Sequence, residues 1–195
     1  MKLSILIATT IDRQHQFEQL YKELILQSYG LMVEVLYLED NKEMSIGTKR
    51  QKLLEMATGD WIVFFDSDDE PSSSYVSKIL SAIENDCDCI GIRGFMTTNG
   101  TNRKSWVHRL GLEIKGDGIT KVGEYDYTRP IIHFNPVKRE LALKAGFKDL
   151  RYGEDMDYAK RLNPLLKKEY FIDSDLFHYK YSNKEPHASK YGIKG

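Results

Sequence analysis

Asp66, Asp68 and Asp69 fall within four positions, directly after the apolar run Trp61-Ile62-Val63-Phe64-Phe65. Carboxylates this close repel one another, so a cation is expected to share their site. Oxygen-only ligands suit a hard divalent ion such as Mg²⁺ or Mn²⁺. The residues before them decide whether this is chemistry or an ordinary solvated turn, in which Asp and Ser are common. A short, β-branched and aromatic run bounded by Gly59-Asp60 reads as a buried strand. A strand apolar on both faces belongs inside a parallel sheet. Ligands of open α/β sheets sit just outside the carboxyl ends of such strands, where Asp66 and Asp68 stand.

The elements needed to position these carboxylates are legible around them. Leu3 to Ala8 reads as a first strand. A helical pattern follows from Asp12, a candidate N-cap, with Phe17, Leu20, Tyr21, Leu24 and Ile25 on one face and Gly30 as its stop. Val33 to Leu38 is a second strand, ending in Glu39-Asp40-Asn41. Ile46, Arg50, Leu53, Leu54 and Ala57 mark a second helix. Val76, Ile79, Leu80 and Ile83 mark a third, entered through Pro71 and a run of serines, and Cys89 to Met96 reads as a fourth strand. This β-α-β-α-β-α-β order predicts a Rossmann-like, mostly parallel sheet with helices on both faces. Residues 97 to 130 break the rhythm and predict short strands and long loops. Glu140 to Ala145 and Asp155 to Leu166 read as helices, and Tyr170 to Ile172 and Leu176 to Tyr179 as short strands. The expected organisation is a single α/β domain over 1–195, with a mostly parallel half at 1–98 and a mixed half at 99–195.

Bulk properties exclude several classes. The chain has 195 residues, a hydrophobic fraction of 41% and a formal net charge of -1, so no global field draws it to nucleic acid or to a membrane surface. Cys87 and Cys89 are too few and too close for a disulfide framework and lack the companions of a zinc site. The N-terminal apolar run ends at Asp12 and Arg13, too short for a signal-peptide core or a membrane span. A cytoplasmic protein is expected. It is either a compact stand-alone enzyme or a module of a longer polypeptide.

Taken in order, Glu39-Asp40-Asn41, Gly47-Thr48-Lys49-Arg50-Gln51, Ala57-Thr58-Gly59-Asp60, Asp66-Ser67-Asp68-Asp69 and Gly153-Glu154-Asp155 resemble the family 2 glycosyltransferases of the GT-A fold. The specific part runs from Ile46 to Asp69 and looks like the family's G-x-x-x-R-N-x-G-L-x-x-A-x-G-x-x-I-x-F-L-D-x-D-D string. Gln51 departs from the usual Asn, Leu53 from a usual Gly, and the loop Ala8-Thr9-Thr10-Ile11-Asp12-Arg13 lacks the common Pro-x-x-Asn.

The resemblance implies inverting, metal-dependent transfer of a sugar from a nucleotide-sugar, most simply UDP-linked, to an acceptor hydroxyl on a saccharide or other molecule. It makes 1–98 the nucleotide-sugar-binding half and 99–195 the acceptor-binding half, and places Thr9 and Thr10 along the nucleotide and Asp40 on the base. Arg50 and Lys49 approach the base or phosphates, and Asp66, with Ser67 beside it, binds the ribose. Asp68 holds Mn²⁺ or Mg²⁺, Asp155 is the general base and Glu154 contacts the acceptor. His178 completes the metal site on this reading, as a late His does in some GT-A enzymes. Trp106, His108, Tyr125, Tyr127 and His133 are candidates to line the acceptor pocket, and the basic tail from Lys180, with Lys184, Lys190 and Lys194, is a candidate lid over the diphosphate.

Each assignment has a structural counterpart. Asp40 can simply end a strand, Lys49 can lie on a solvated helix face, and Glu154-Asp155 can complement a helix dipole. A lone His178 is commonly structural. Rival functions also have stated signatures. A haloacid-dehalogenase-like phosphohydrolase places its D-x-D near the N-terminus, whereas two βα units precede this one. A sugar nucleotidyltransferase needs a Gly-rich loop after the first strand, and residues 8–13 contain no glycine. The presence of Asp66, Asp68 and Asp155 together argues against a non-catalytic nucleotide-sugar-binding domain.

Overall fold

A computed structural model of the chain describes residues 3–113 and 124–181. The first strand, β1 (Leu3–Thr10), leads through one 3₁₀ turn into helix α1 (Gln14–Ser28). Strand β2 (Val33–Asp40), helix α2 (Ile46–Met56) and strand β3 (Trp61–Asp66) follow. A two-residue strand β4 (Glu70–Pro71), helix α3 (Tyr75–Ala82) and strands β5 (Cys89–Thr98), β6 (Thr101–His108) and β7 (Tyr127–Arg129) come next. The chain continues with β8 (Val137–Lys138), α4 (Arg139–Ala145), α5 (Glu154–Leu162) and β9 (Glu169–Tyr181).

The sheet runs β2-β1-β3-β8-β5-β6-β7, with β9 parallel to β5 on its other side and β4 paired to β9. Strands β2, β1 and β3 are mutually parallel, in the register Thr10 to Asp40 and Ala8 to Asp66. Their carboxyl ends therefore lie side by side.

Side-chain alternation splits the core in two, because successive residues of a strand face opposite sides. Ile5, Ile7, Val63 and Phe65 pack under α1 and α3 against Phe17, Leu20, Leu24, Val76 and Ile79. Leu6, Ile62 and Phe64 pack on the other face under α2, α4 and α5, against Leu53, Leu54, Ala142, Tyr158 and Leu162.

Several sequence expectations change here. Strand β5 does not pair with β3; β8 is inserted between them, antiparallel to both. Two short strands at the end are one strand, β9, with irregular register near Arg93 of β5. Asp12 does not cap α1, whose N-cap is Arg13; the Asp12 carboxylate instead accepts from Lys42 Nζ at 2.7 Å. Of the tail lysines expected to form a lid, Lys180 lies within β9 and its Nζ donates to Glu70 Oε1 at 2.8 Å; the others, beyond residue 181, lie outside the described residues. No helix among the described residues is long and apolar enough to cross a membrane.

One close approach sets where α2 sits. Ser45 caps this helix by accepting the Thr48 N–H at 3.0 Å, and Asp149 accepts from the Ser45 hydroxyl at 2.5 Å. The Gly47 N–H donates to Leu150 O at 3.1 Å. A Cβ on Gly47 would stand 2.0 Å from Lys148 O. Only glycine lets the 148–150 loop lie on α2, and that loop carries the chain to α5. Forcing a methyl into such a contact costs about 1–3 kcal/mol. Gly47→Ala is therefore expected to lower the unfolding free energy read from urea melts by that amount, with a lower midpoint; an unchanged midpoint would contradict this packing account.

Candidate active site

The strand ends, the first turns of α2 and the start of α5 meet at one place. Lys49 and Arg50, consecutive on α2, are both buried against the strand ends. Lys49 Nζ donates to Thr9 O at 2.7 Å and forms a short ion pair with Asp40. The Asp40 carboxylate also accepts the Met44 N–H at 2.7 Å and the Lys42 N–H at 3.2 Å. Burial raises its pKa, but Lys49 and these amides outweigh that and leave it below the usual range.

Arg50 is the centre of the arrangement. Its guanidinium donates to Asp66 Oδ1 at 2.6 Å and to Glu154 Oε1 at 2.6 Å. It thereby ties the end of β3 to the first residue of α5. Burial alone would lower its pKa, yet the fields of Asp66, Glu154 and Asp155 raise it further, so it stays charged. Burial pushes Asp66 up, but Arg50 outweighs burial and holds its carboxyl well below the usual range. Glu154 responds in the other direction: burial dominates and raises it despite Arg50.

Residues 66–69 form a tight turn. The Asp69 N–H donates to Asp66 O at 3.0 Å, and the Asp66 N–H donates back to Asp69 Oδ2 at 2.6 Å. Burial, together with the charges of Asp66 and Asp68, raises Asp69 well above an ordinary carboxyl. Ser67 is buried within the turn, and the Asp68 carboxylate, partly open to solvent, pairs with Arg13 at 3.2 Å. Asp155 occupies the first turn of α5, where its Oδ1 accepts the Met156 N–H at 2.8 Å. His133 lies beneath this group, its Nε2 3.9 Å from Asp66 Oδ2.

The structure thus brings together Thr9, Asp40, Lys49, Arg50, Asp66, Ser67, Asp68, Glu154 and Asp155, with Thr10 at the end of β1. It gives His178 a different setting from the expected metal site. The register Glu70 to His178 puts His178 Nδ1 2.7 Å from Glu70 Oε2, and its Nε2 lies 2.9 Å from Thr97 Oγ1. Both ring nitrogens are engaged, and Lys180 joins the same Glu70 at 2.8 Å. Of the aromatic candidates, Trp106, His108 and His133 are buried, and Trp106 packs in the core with Phe177. Two contributors went unassigned in the sequence: Arg13, which pairs with Asp68, and Asp69, which closes the turn. The string Asp66-Ser67-Asp68-Asp69 held a signal for the second; nothing marked the first.

The parallel sheet, the acidic turn at the end of β3 and the acidic start of α5 together make the GT-A architecture. The sequence model described as glycosyl transferase family 2 matches residues 15–147, and the chain belongs to that family of glycosyltransferases. Among solved structures it is similar to the 1–349 fragment of S. aureus TarS in complex with UDP-GlcNAc. That likeness has 16% identity and a TM-score of 0.60, covering 98% of this chain and 62% of the other. The same fragment in complex with UDP matches at 17% identity with a TM-score of 0.63, over 93% of this chain and 61% of that one. The chain therefore spans about three-fifths of that fragment's length. No curated protein sequence matches it.

Arg50 carries a testable consequence. Removing one partner of a buried ion pair leaves an uncompensated charge. Because Asp66 is partly open to solvent, the low end of that range applies, and Arg50→Met is expected to cost about 3 kcal/mol at pH 7. The pairing keeps the folded-state pKa of Asp66 below its unfolded value of about 3.9. This stabilisation is complete above that value and is lost as pH falls through the folded one. The Arg50→Met deficit, read from urea melts, should shrink steadily below about pH 4; a deficit independent of pH would contradict the assignment.

Proposed function

We propose that this chain transfers a sugar, with inversion, from a UDP-linked donor to an acceptor hydroxyl, with a divalent cation at Asp68. The observation that carries the reading is the Arg50 bridge, which fixes Glu154 and Asp155 beside the carboxylates at the end of β3. Support for the donor comes from the TarS structures, which hold UDP and UDP-GlcNAc.

The residues fit a hard cation. Three carboxylates crowd the 66–69 turn, where burial together with the charges of Asp66 and Asp68 raises the Asp69 pKa; a divalent ion would relieve that repulsion. Among the described residues no group of three or more His, Cys, Asp or Glu side chains forms a complete metal cage. One or two protein carboxylates suffice where a diphosphate supplies the other oxygens. When bound, Mn²⁺ or Mg²⁺ would offset the charge that develops on the departing diphosphate.

The chain's own groups do the rest. Thr9, Thr10 and the Asp40–Lys49 pair border the base. Asp40 Oδ2 retains one lone pair beyond the Met44 N–H, enough for an N–H of a uracil-like ring. Asp66 accepts from the ribose hydroxyls and is kept ionised by Arg50, which grips its Oδ1. Asp155 takes the proton of the acceptor hydroxyl as its oxygen attacks the anomeric carbon. Direct displacement by one nucleophile inverts that carbon. Glu154 fixes the start of α5 through Arg50 and meets the acceptor. His178 anchors the turn through Glu70 rather than serving the cation. A cytoplasmic setting accords with the buried, unbridged Cys87 and Cys89.

A thermal-shift screen of UDP-, GDP- and dTDP-sugars with and without Mn²⁺ tests the donor site, since a ligand bound only to the folded state raises its melting temperature. A Mn²⁺-dependent shift with UDP-sugars, absent in Asp68→Ala, is expected. Shifts that ignore Mn²⁺ or survive in the variant would count against the cation site. In Asp155→Asn the shift should persist, while UDP release to a saccharide acceptor panel falls by about 10²–10⁴-fold. Release at the wild-type rate would remove Asp155 as the base.

A further inference from the structure

His133 is a buried imidazole that the reaction scheme above leaves without a role. It is only 3% exposed, and neither ring nitrogen has a hydrogen-bond partner. Buried polar groups in native proteins are nearly always satisfied, and one that is not calls for a cause. Its backbone is fixed: His133 O accepts the Phe64 N–H at 3.1 Å, so the residue rides on β3 two positions before Asp66. Its ring lies against Phe134, with centroids 3.9 Å apart. Burial, followed by the charge of Arg50, lowers its pKa, so the ring is neutral and carries one N–H. The nearest carboxylate oxygen is Asp66 Oδ2, at 3.9 Å. The other oxygen of Asp66 is taken by Arg50 at 2.6 Å.

We propose that His133 is a positioning residue for the nucleotide: on donor binding its Nε2–H closes onto Asp66 Oδ2 and fixes the plane of that carboxylate opposite Arg50. The inference rests on the reading of Asp66 as the ribose acceptor. A carboxylate gripped on one oxygen can still rotate about its last side-chain bond. A second donor on the other oxygen removes that freedom and leaves defined lone pairs for the ribose hydroxyls. The ordered geometry is gained when the ligand excludes water, where a charge-assisted hydrogen bond is strongest.

Calorimetric titration of UDP in the presence of Mn²⁺ tests this with three variants. His133→Phe keeps the ring packing on Phe134 but has no donor. His133→Gln places an amide N–H near the Nε2 position, whereas His133→Asn places one near Nδ1. Loss of a hydrogen bond to a charged group predicts UDP binding about tenfold weaker in His133→Phe and His133→Asn. His133→Gln should stay within about threefold of wild type. A merely structural role would not separate Gln from Asn in this way. Wild-type affinity in His133→Phe, or equal affinities in the Gln and Asn variants, would overturn the proposal. If wild type binds no nucleoside diphosphate at all, the donor reading fails and the role of His133 fails with it; wild-type binding with unaffected variants overturns His133 alone.

Discussion

A buried guanidinium must be paired, because an isolated charge in a protein interior costs far more than a folded domain can spare. Arg50 meets that constraint with Asp66 on one side and Glu154 on the other. Those partners are 88 residues apart in sequence, as 154 less 66, and belong to different layers of the fold. Satisfying one cation therefore fixes the end of β3, the inner face of α2 and the first turn of α5 relative to one another. Gly47 serves the same end, since its missing side chain lets the loop before α5 lie on α2. The second buried pair, Lys49 with Asp40, repeats the device one residue earlier and binds α2 to the ends of β1 and β2.

This construction separates two carboxylate populations by environment. Asp66 is held ionised by Arg50, while burial and like charge drive Asp69 toward its neutral form. One turn thus holds two carboxyls whose pKa values are pushed in opposite directions. The ends of β1, β2 and β3 lie side by side, and Arg50 ties the acidic start of α5 to the end of β3. On the proposed reading the leaving group lies at the strand ends and the base at the start of α5. Family membership sets the class of chemistry, and the donor, cation and stereochemical course rest on the proposal argued from these contacts.

The donor half was legible because its signals are local. Val63 and Phe65 alternate with Ile62 and Phe64 between two cores, so β3 had to be buried on both faces, and its end had to carry a site. Leu53 and Leu54 likewise placed Arg50 on the inward side of α2. What escaped depends on tertiary pairing. Strand β8 is only Val137–Lys138, too short for any periodicity, yet it sits between β3 and β5. His178 looked like a lone ligand because its partners Glu70 and Thr97 are 108 and 81 residues away. Asp12 has the right chemistry for a helix cap, but Lys42 competes for its carboxylate from the neighbouring loop. The resemblance assigned Asp40 to a base; no local pattern marks that Lys49 and two amides hold it first.

The most direct test of the account is where a nucleotide and its cation settle. In ¹H–¹⁵N spectra of the labelled protein, UDP followed by substoichiometric Mn²⁺ should broaden the amide signals of residues 9–10, 66–70 and 154–156. The outer faces of α1 and α3 should stay sharp. Such a pattern would put the donor at the strand ends and within reach of α5. Broadening centred elsewhere, or Mn²⁺ effects that do not depend on UDP, would contradict the claim that the Arg50 bridge organises a nucleotide-sugar site.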